Sequence, residues 1–217
     1  MLTKVRKRTK RLTCLQEARN VEQILGDLPD DETSVRIVTF TEFSAVGILR
    51  WFVERTEVNW LGVVTFRVGK RAISWLKDAA AAGKIREADF ILGWINAERH
   101  GPNRELAESL GQLCRKYGWS LRFARNHVKV FLFDTGEGKV VCETSSNLND
   151  LPNWEFFCVE KDEALFEFYR QAFFVAEQPE QEGGSLCQPE GSPSSSLKPR
   201  AGSISPKRRS KSVKPRK

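Results

Sequence analysis

Residues 127–147 read HVKVFLFD-TGEG-KVVCETSSN, and this stretch decides the fold. Its β-branched and aromatic runs, His127–Phe133 and Lys139–Thr144, are joined by a segment carrying Gly136 and Gly138, the pattern of an antiparallel hairpin. Downstream, Trp154–Glu160 predicts another strand and Asp162–Phe174 a closing helix. Upstream the periodicity alternates. Strands are expected over Arg36–Phe43, Trp60–Arg67, Phe90–Ile95 and Ser120–Arg125; helices over Val46–Val53, residues 70–82 (closed by Gly83) and Pro102–Lys116. Alternation of this kind implies an α/β layer fold, and the hairpin makes the sheet mixed: parallel in the first half of the chain, antiparallel in the second.

The net charge of +7 belongs to the ends of the chain. Residues 1–12 hold six Lys/Arg and no acid, and residues 178–217 hold nine against three Glu, leaving residues 13–177 with 20 basic and 25 acidic residues, a net of −5. The basic composition is therefore no argument that the folded part favours polyanions. Three segments follow: a basic N-terminal arm (1–12), one domain (13–177), and a Pro/Ser/Gly-rich basic tail (178–217). The tail has too few apolar residues to offset its chain entropy and reads as disordered. No apolar run of about 18 residues is present, which argues against a membrane span. Five widely spaced cysteines without a C-x-x-C pair or a secretion signal fit reduced thiols and a cytoplasmic setting, not zinc or disulfides.

His127 and Lys129 lie two apart on a predicted strand, so they share a face at a spacing of about 7 Å. Ser145 and Asn147 share a side where the returning strand ends. An imidazole, an ammonium, a hydroxyl and an amide in one place suit a phosphodiester: a nucleophile for phosphorus, with a positive charge and neutral donors for its oxygens. No carboxylate cluster accompanies them, so neither a metal nor another cofactor is expected. Asp134 has the opposite parity and sits at the hairpin turn, where bonding to the turn backbone suits it better than chemistry.

H-x-K-x4-D followed by Ser-x-Asn resembles the HKD motif of the phospholipase D superfamily. The likeness spans roughly residues 34–175 and implies a phospholipase D-like mixed β-sheet flanked by helices on both faces. It further implies that His127 attacks phosphorus to form a phosphohistidine, that Lys129, Ser145 and Asn147 hold the phosphate, and that Glu155 orients the histidine. Two departures stand out. Thr144 replaces the glycine usual before Ser145, and the chain has one motif where such enzymes use two; His100, in Glu98-Arg-His-Gly-Pro102, lacks the spacing and the lysine of a second. A homodimer with the site on its two-fold axis supplies the missing histidine. Single-motif members resemble nucleases, which makes DNA the expected substrate. Phospholipase or phosphatidyltransferase action, or a non-catalytic DNA-binding scaffold, are the alternatives.

Overall fold

The computed structural model describes residues 2–5, 9–15, 21–40, 44–97, 103–149 and 153–176. The chain divides into two units, residues 1–187 and 188–217, and every described residue lies in the first. The expected tail and His100 fall outside the described residues.

The described strands are β1 (Leu2–Val5), β2 (Thr9–Leu15), β3 (Thr33–Phe40), β4 (Val58–Thr65), β5 (Ile85–Gly93), β6 (Ser120–Ala124), β7 (Val130–Thr135), β8 (Gly138–Thr144) and β9 (Trp154–Lys161). The helices are α1 (Val21–Leu25), α2 (Ala45–Arg55), α3 (Lys70–Ala81), α4 (Arg104–Tyr117) and α5 (Glu163–Arg170), the last continuing as a π-helical turn, Gln171–Val175. The strands form one mixed sheet in the order β1-β2-β3-β9-β8-β7-β4-β5-β6. Pairing is parallel for β2/β3, β4/β5 and β5/β6, and antiparallel elsewhere.

The later, antiparallel strands thus fill the middle of the sheet. Their composition explains why: Val130–Phe133, Val140–Cys142 and Phe157–Val159 are buried without a break, and a strand apolar on both sides has to be covered on both. Edge strand β6 is never fully buried. Residues 1–12, read from the sequence as an arm, here carry strand pairing of β1 and β2 that extends the sheet beyond β3. The β-branched Thr3, Val5 and Thr9 in this stretch suit extended backbone.

Alternation along β7 divides the core. Phe131 and Phe133 join the large cluster built with α1–α4, whereas Val130, Leu132 and Val141 pack against Phe166 of α5. Helices therefore cover both faces. α2 buries Ala45, Ile48, Leu49 and Phe52, spaced by three and four. α4 stops at Gly118, whose φ of 71° lets its N–H reach the Cys114 carbonyl in a conformation that a side chain disfavours. Asp162 caps α5 by accepting the Leu165 N–H at 2.9 Å. No helix among the described residues is long and apolar enough to cross a membrane.

Candidate active site

The parallel strands β3, β4 and β5 end on the same side of the sheet. The antiparallel register brings the start of β7, the end of β8 and the start of β9 to that side too. This is the edge at which α/β sheets hold ligands.

β7 begins at Val130, so His127 and Lys129 stand just before the strand and not on it. The Thr144 N–H still donates to the Lys129 carbonyl at 3.1 Å, so the backbone there is held as in a ladder. The two side chains do project together. Lys129 Nζ lies 3.0 Å from His127 Nδ1 and donates to the His127 carbonyl at 2.7 Å. The imidazole is exposed, but Lys129 is only 8% exposed. Burial pushes the Lys129 pKa below the usual 10.5, and the negative charge of Glu155 acts against that shift.

Ser145 accepts the Phe156 N–H at 2.9 Å and donates to the Glu155 carboxylate. Within this chain Glu155 therefore engages Ser145, and its charge reaches Lys129, while the Nδ1 of His127 is met by Lys129. Asn147 has a buried Oδ1 that no described residue bonds. Its loop is pinned to the end of β4: Leu148 N donates to Thr65 Oγ1 at 3.1 Å, Gly69 N donates to the Leu148 carbonyl at 2.7 Å, and Val68 bridges Leu148.

Asp134 is not part of this group, because it lies toward the far end of β7, paired in register with Lys139 beside the turn. The turn is closed by its neighbour: Thr135 Oγ1 donates to the Gly138 carbonyl at 2.8 Å and accepts the Glu137 N–H at 3.2 Å. The bonding expected of Asp134 is thus made by Thr135. No group of three or more His, Cys, Asp or Glu placed to hold a metal ion occurs among the described residues.

Four residues at this edge escape a motif-based reading. The Phe66 ring lies 5.0 Å from the His127 ring, Arg67 sits 5.3 Å from the Phe66 ring, and both polar atoms of the Asn126 amide are buried and unbonded. Thr65 is fully buried, donates to the Arg67 carbonyl at 3.1 Å and accepts from Leu148. The sequence signal for Thr65, Phe66 and Arg67 is their place at the end of an apolar parallel strand.

Thr65→Val keeps the shape but leaves the Leu148 N–H and Arg67 carbonyl without their partner. We expect a stability loss of about 1–3 kcal/mol, read by thermal unfolding. A larger fall in kcat/KM than in Tm-matched core variants is expected as well, because the Asn147 loop loses its anchor.

No family model and no curated protein matches the sequence. Among solved structures the chain is similar to polyphosphate kinase from Porphyromonas gingivalis, with a TM-score of 0.51 and 16% identity over 77% of this chain and 31% of that one. The chain therefore spans about a third of that kinase. A second likeness is to NucT from Helicobacter pylori, with a TM-score of 0.47 and 13% identity over 64% of this chain and 92% of that one. The fold is phospholipase D-like.

Proposed function

We propose that the protein is a metal-independent phosphodiesterase, a nuclease acting on DNA, that works as a homodimer through His127. The observation that carries this reading is the contact between Lys129 Nζ and His127 Nδ1 at the exposed edge of a phospholipase D-like sheet. A phosphate oxyanion competes for the ammonium that lies against Nδ1 in the unliganded chain, and the neutral imidazole presents a ring-nitrogen lone pair to phosphorus.

Attack by one His127 as the neutral imidazole forms the P–N bond and breaks the P–O bond to the leaving alcohol, which takes its proton from the partner subunit's His127; that second ring enters the step as an imidazolium and leaves it neutral. Water then attacks phosphorus, the P–N bond breaks, and the proton from water returns to the partner subunit's His127. In this reading Lys129 and Asn147 stabilise the added charge on the oxygens, Ser145 joins them by exchanging its bond to Glu155 for one to phosphate, and Glu155 offsets part of the burial penalty on the Lys129 charge. DNA is favoured by the basic residues outside the acidic body, nine Lys/Arg in residues 178–217 alone.

The decisive test combines three measurements on one preparation in EDTA: turnover of bis-p-nitrophenyl phosphate, cleavage of plasmid DNA against phosphatidyl lipids, and mass spectrometry for a phosphoryl adduct on His127. Adduct formation with DNA cleavage is the expected result. Lipid turnover without DNA cleavage identifies a phospholipase, and no turnover at all identifies a scaffold. Removal of residues 178–217 is expected to weaken DNA binding and flatten its salt slope while small-substrate hydrolysis persists. Loss of that hydrolysis would contradict the assigned role of the tail.

A further inference from the structure

We propose that Arg67, seated on Phe66, binds a second phosphate of a polynucleotide, next to the one held at His127. The inference rests on the nuclease reading above and deepens it, because it specifies a substrate with phosphates in series.

Arg67 differs from the other arginines. Six of those described are ion-paired to a carboxylate. The Arg67 side chain has no hydrogen bond or ion pair to any described residue; its Nε is buried and unbonded, and its guanidinium lies against the Phe66 ring. A buried guanidinium N–H without an acceptor is costly. An oxyanion relieves that cost, and a guanidinium fits phosphate as a two-pronged donor. Because residues 13–177 are acidic overall, general surface basicity does not account for this charge.

The position is also prepared. Asn96 Nδ2 donates to the Phe66 carbonyl at 2.7 Å and to the Gly93 carbonyl at 2.6 Å, and Thr65 Oγ1 holds the Arg67 carbonyl. Gly93 makes room for the ring: a Cβ there would lie 2.4 Å from Phe66 Cδ2. Phe66 thus stands on a fixed backbone, with His127 and Arg67 both against its ring. The adjoining residues Val68 and Gly69 are tied to the loop carrying Asn147. Lys129 serves the reacting phosphate. A second cation one side chain away has a ligand in a strand of nucleic acid, which carries a phosphate at each residue, but not in a diester with one phosphate.

The test uses the full chain with Arg67→Gln and Arg67→Lys. Hydrolysis of a fluorescein-labelled single-stranded DNA oligonucleotide is compared with that of bis-p-nitrophenyl phosphate, and oligonucleotide binding is followed by anisotropy over a salt series. For Arg67→Gln the loss in kcat/KM on the oligonucleotide is expected to exceed that on the small diester by about tenfold or more. The slope of log K against log salt should become shallower by about one, and Arg67→Lys should recover the slope but not the full kcat/KM. Equal losses on both substrates, or an unchanged salt slope, would overturn the proposal. If the wild-type chain hydrolyses neither substrate, the phosphodiesterase reading fails, yet the salt slope still reports on Arg67 by itself. Absence of oligonucleotide binding by the wild-type chain overturns both.

Discussion

Alanine in place of His127 is expected to lower turnover of bis-p-nitrophenyl phosphate and DNA by on the order of 10⁴-fold or more, the scale seen when a nucleophile is removed. The fold should be spared, because the ring is exposed and its contacts among the described residues are Lys129 and the Phe66 ring. Unchanged thermal unfolding with lost turnover is thus the expected pair of results; equal turnover by variant and wild type would remove His127 from the chemistry. Mixing the two chains carries more information. If two histidines meet in one site on a two-fold axis, a dimer with one wild-type and one alanine chain has no working site. An equimolar, fully exchanged mixture then retains about a quarter of wild-type activity, whereas independent sites retain about half. The mixture separates a shared site from a site complete within one chain.

Lys129→Met is the second large effect. The ammonium is the fixed positive charge nearest the imidazole, and loss of one such donor costs about 10²–10³ in kcat. Stability should move the other way or stay level. Methionine fills a similar volume, and it removes a charge whose burial is unfavourable, as the lowered pKa of Lys129 shows. A merely structural lysine would lose stability along with activity. The pH dependence follows from the same shift. Because the folded-state pKa lies below the usual 10.5, the ammonium loses its proton at a lower pH than an ordinary lysine. The alkaline limb of kcat/KM is therefore expected to fall before pH 10.5, while folding stability rises with pH between the folded and unfolded pKa values. Lys129→Arg, which stays charged, should remove that limb from whatever activity it retains. An alkaline limb unaltered in Lys129→Arg would assign it to another group.

The local readings that hold are those in which one short segment suffices. The apolar spacing from Val46 to Val53 marks α2, Gly118 ends α4, and the glycines after Asp134 turn β7 into β8. Boundaries moved where a neighbouring strand decides them. His127 and Lys129 precede β7 because ladder pairing of β7 begins at Val130, opposite Glu143 and Val64. The exchange of roles at the turn, Thr135 for Asp134, is of the same kind: which of two adjacent polar side chains reaches the turn backbone depends on the side of the sheet each takes.

For the candidate site, His127, Lys129, Ser145 and Asn147 are legible as candidates because their order and spacing match one motif. Glu155 is legible as a position, but its partner is not: the carboxylate meets Ser145 because β9 lies beside β8, a pairing across chain-distant residues. Thr65, Phe66, Arg67 and Asn126 stayed hidden for a similar reason. Nothing local distinguishes Thr65 from any threonine ending a strand: one of its bonds is to Arg67 two residues on, and the other exists only because the loop after β8 crosses the end of β4. By itself, then, the sequence determined the elements from β3 onward, the α/β class and a candidate quartet, since periodicity and spacing are properties of contiguous chain. Only the tertiary structure decided which strands are central, which acid meets which donor, and that a guanidinium unpaired among the described residues shares the Phe66 ring with the imidazole. Those outcomes depend on the burial of apolar faces shared between segments far apart in the chain.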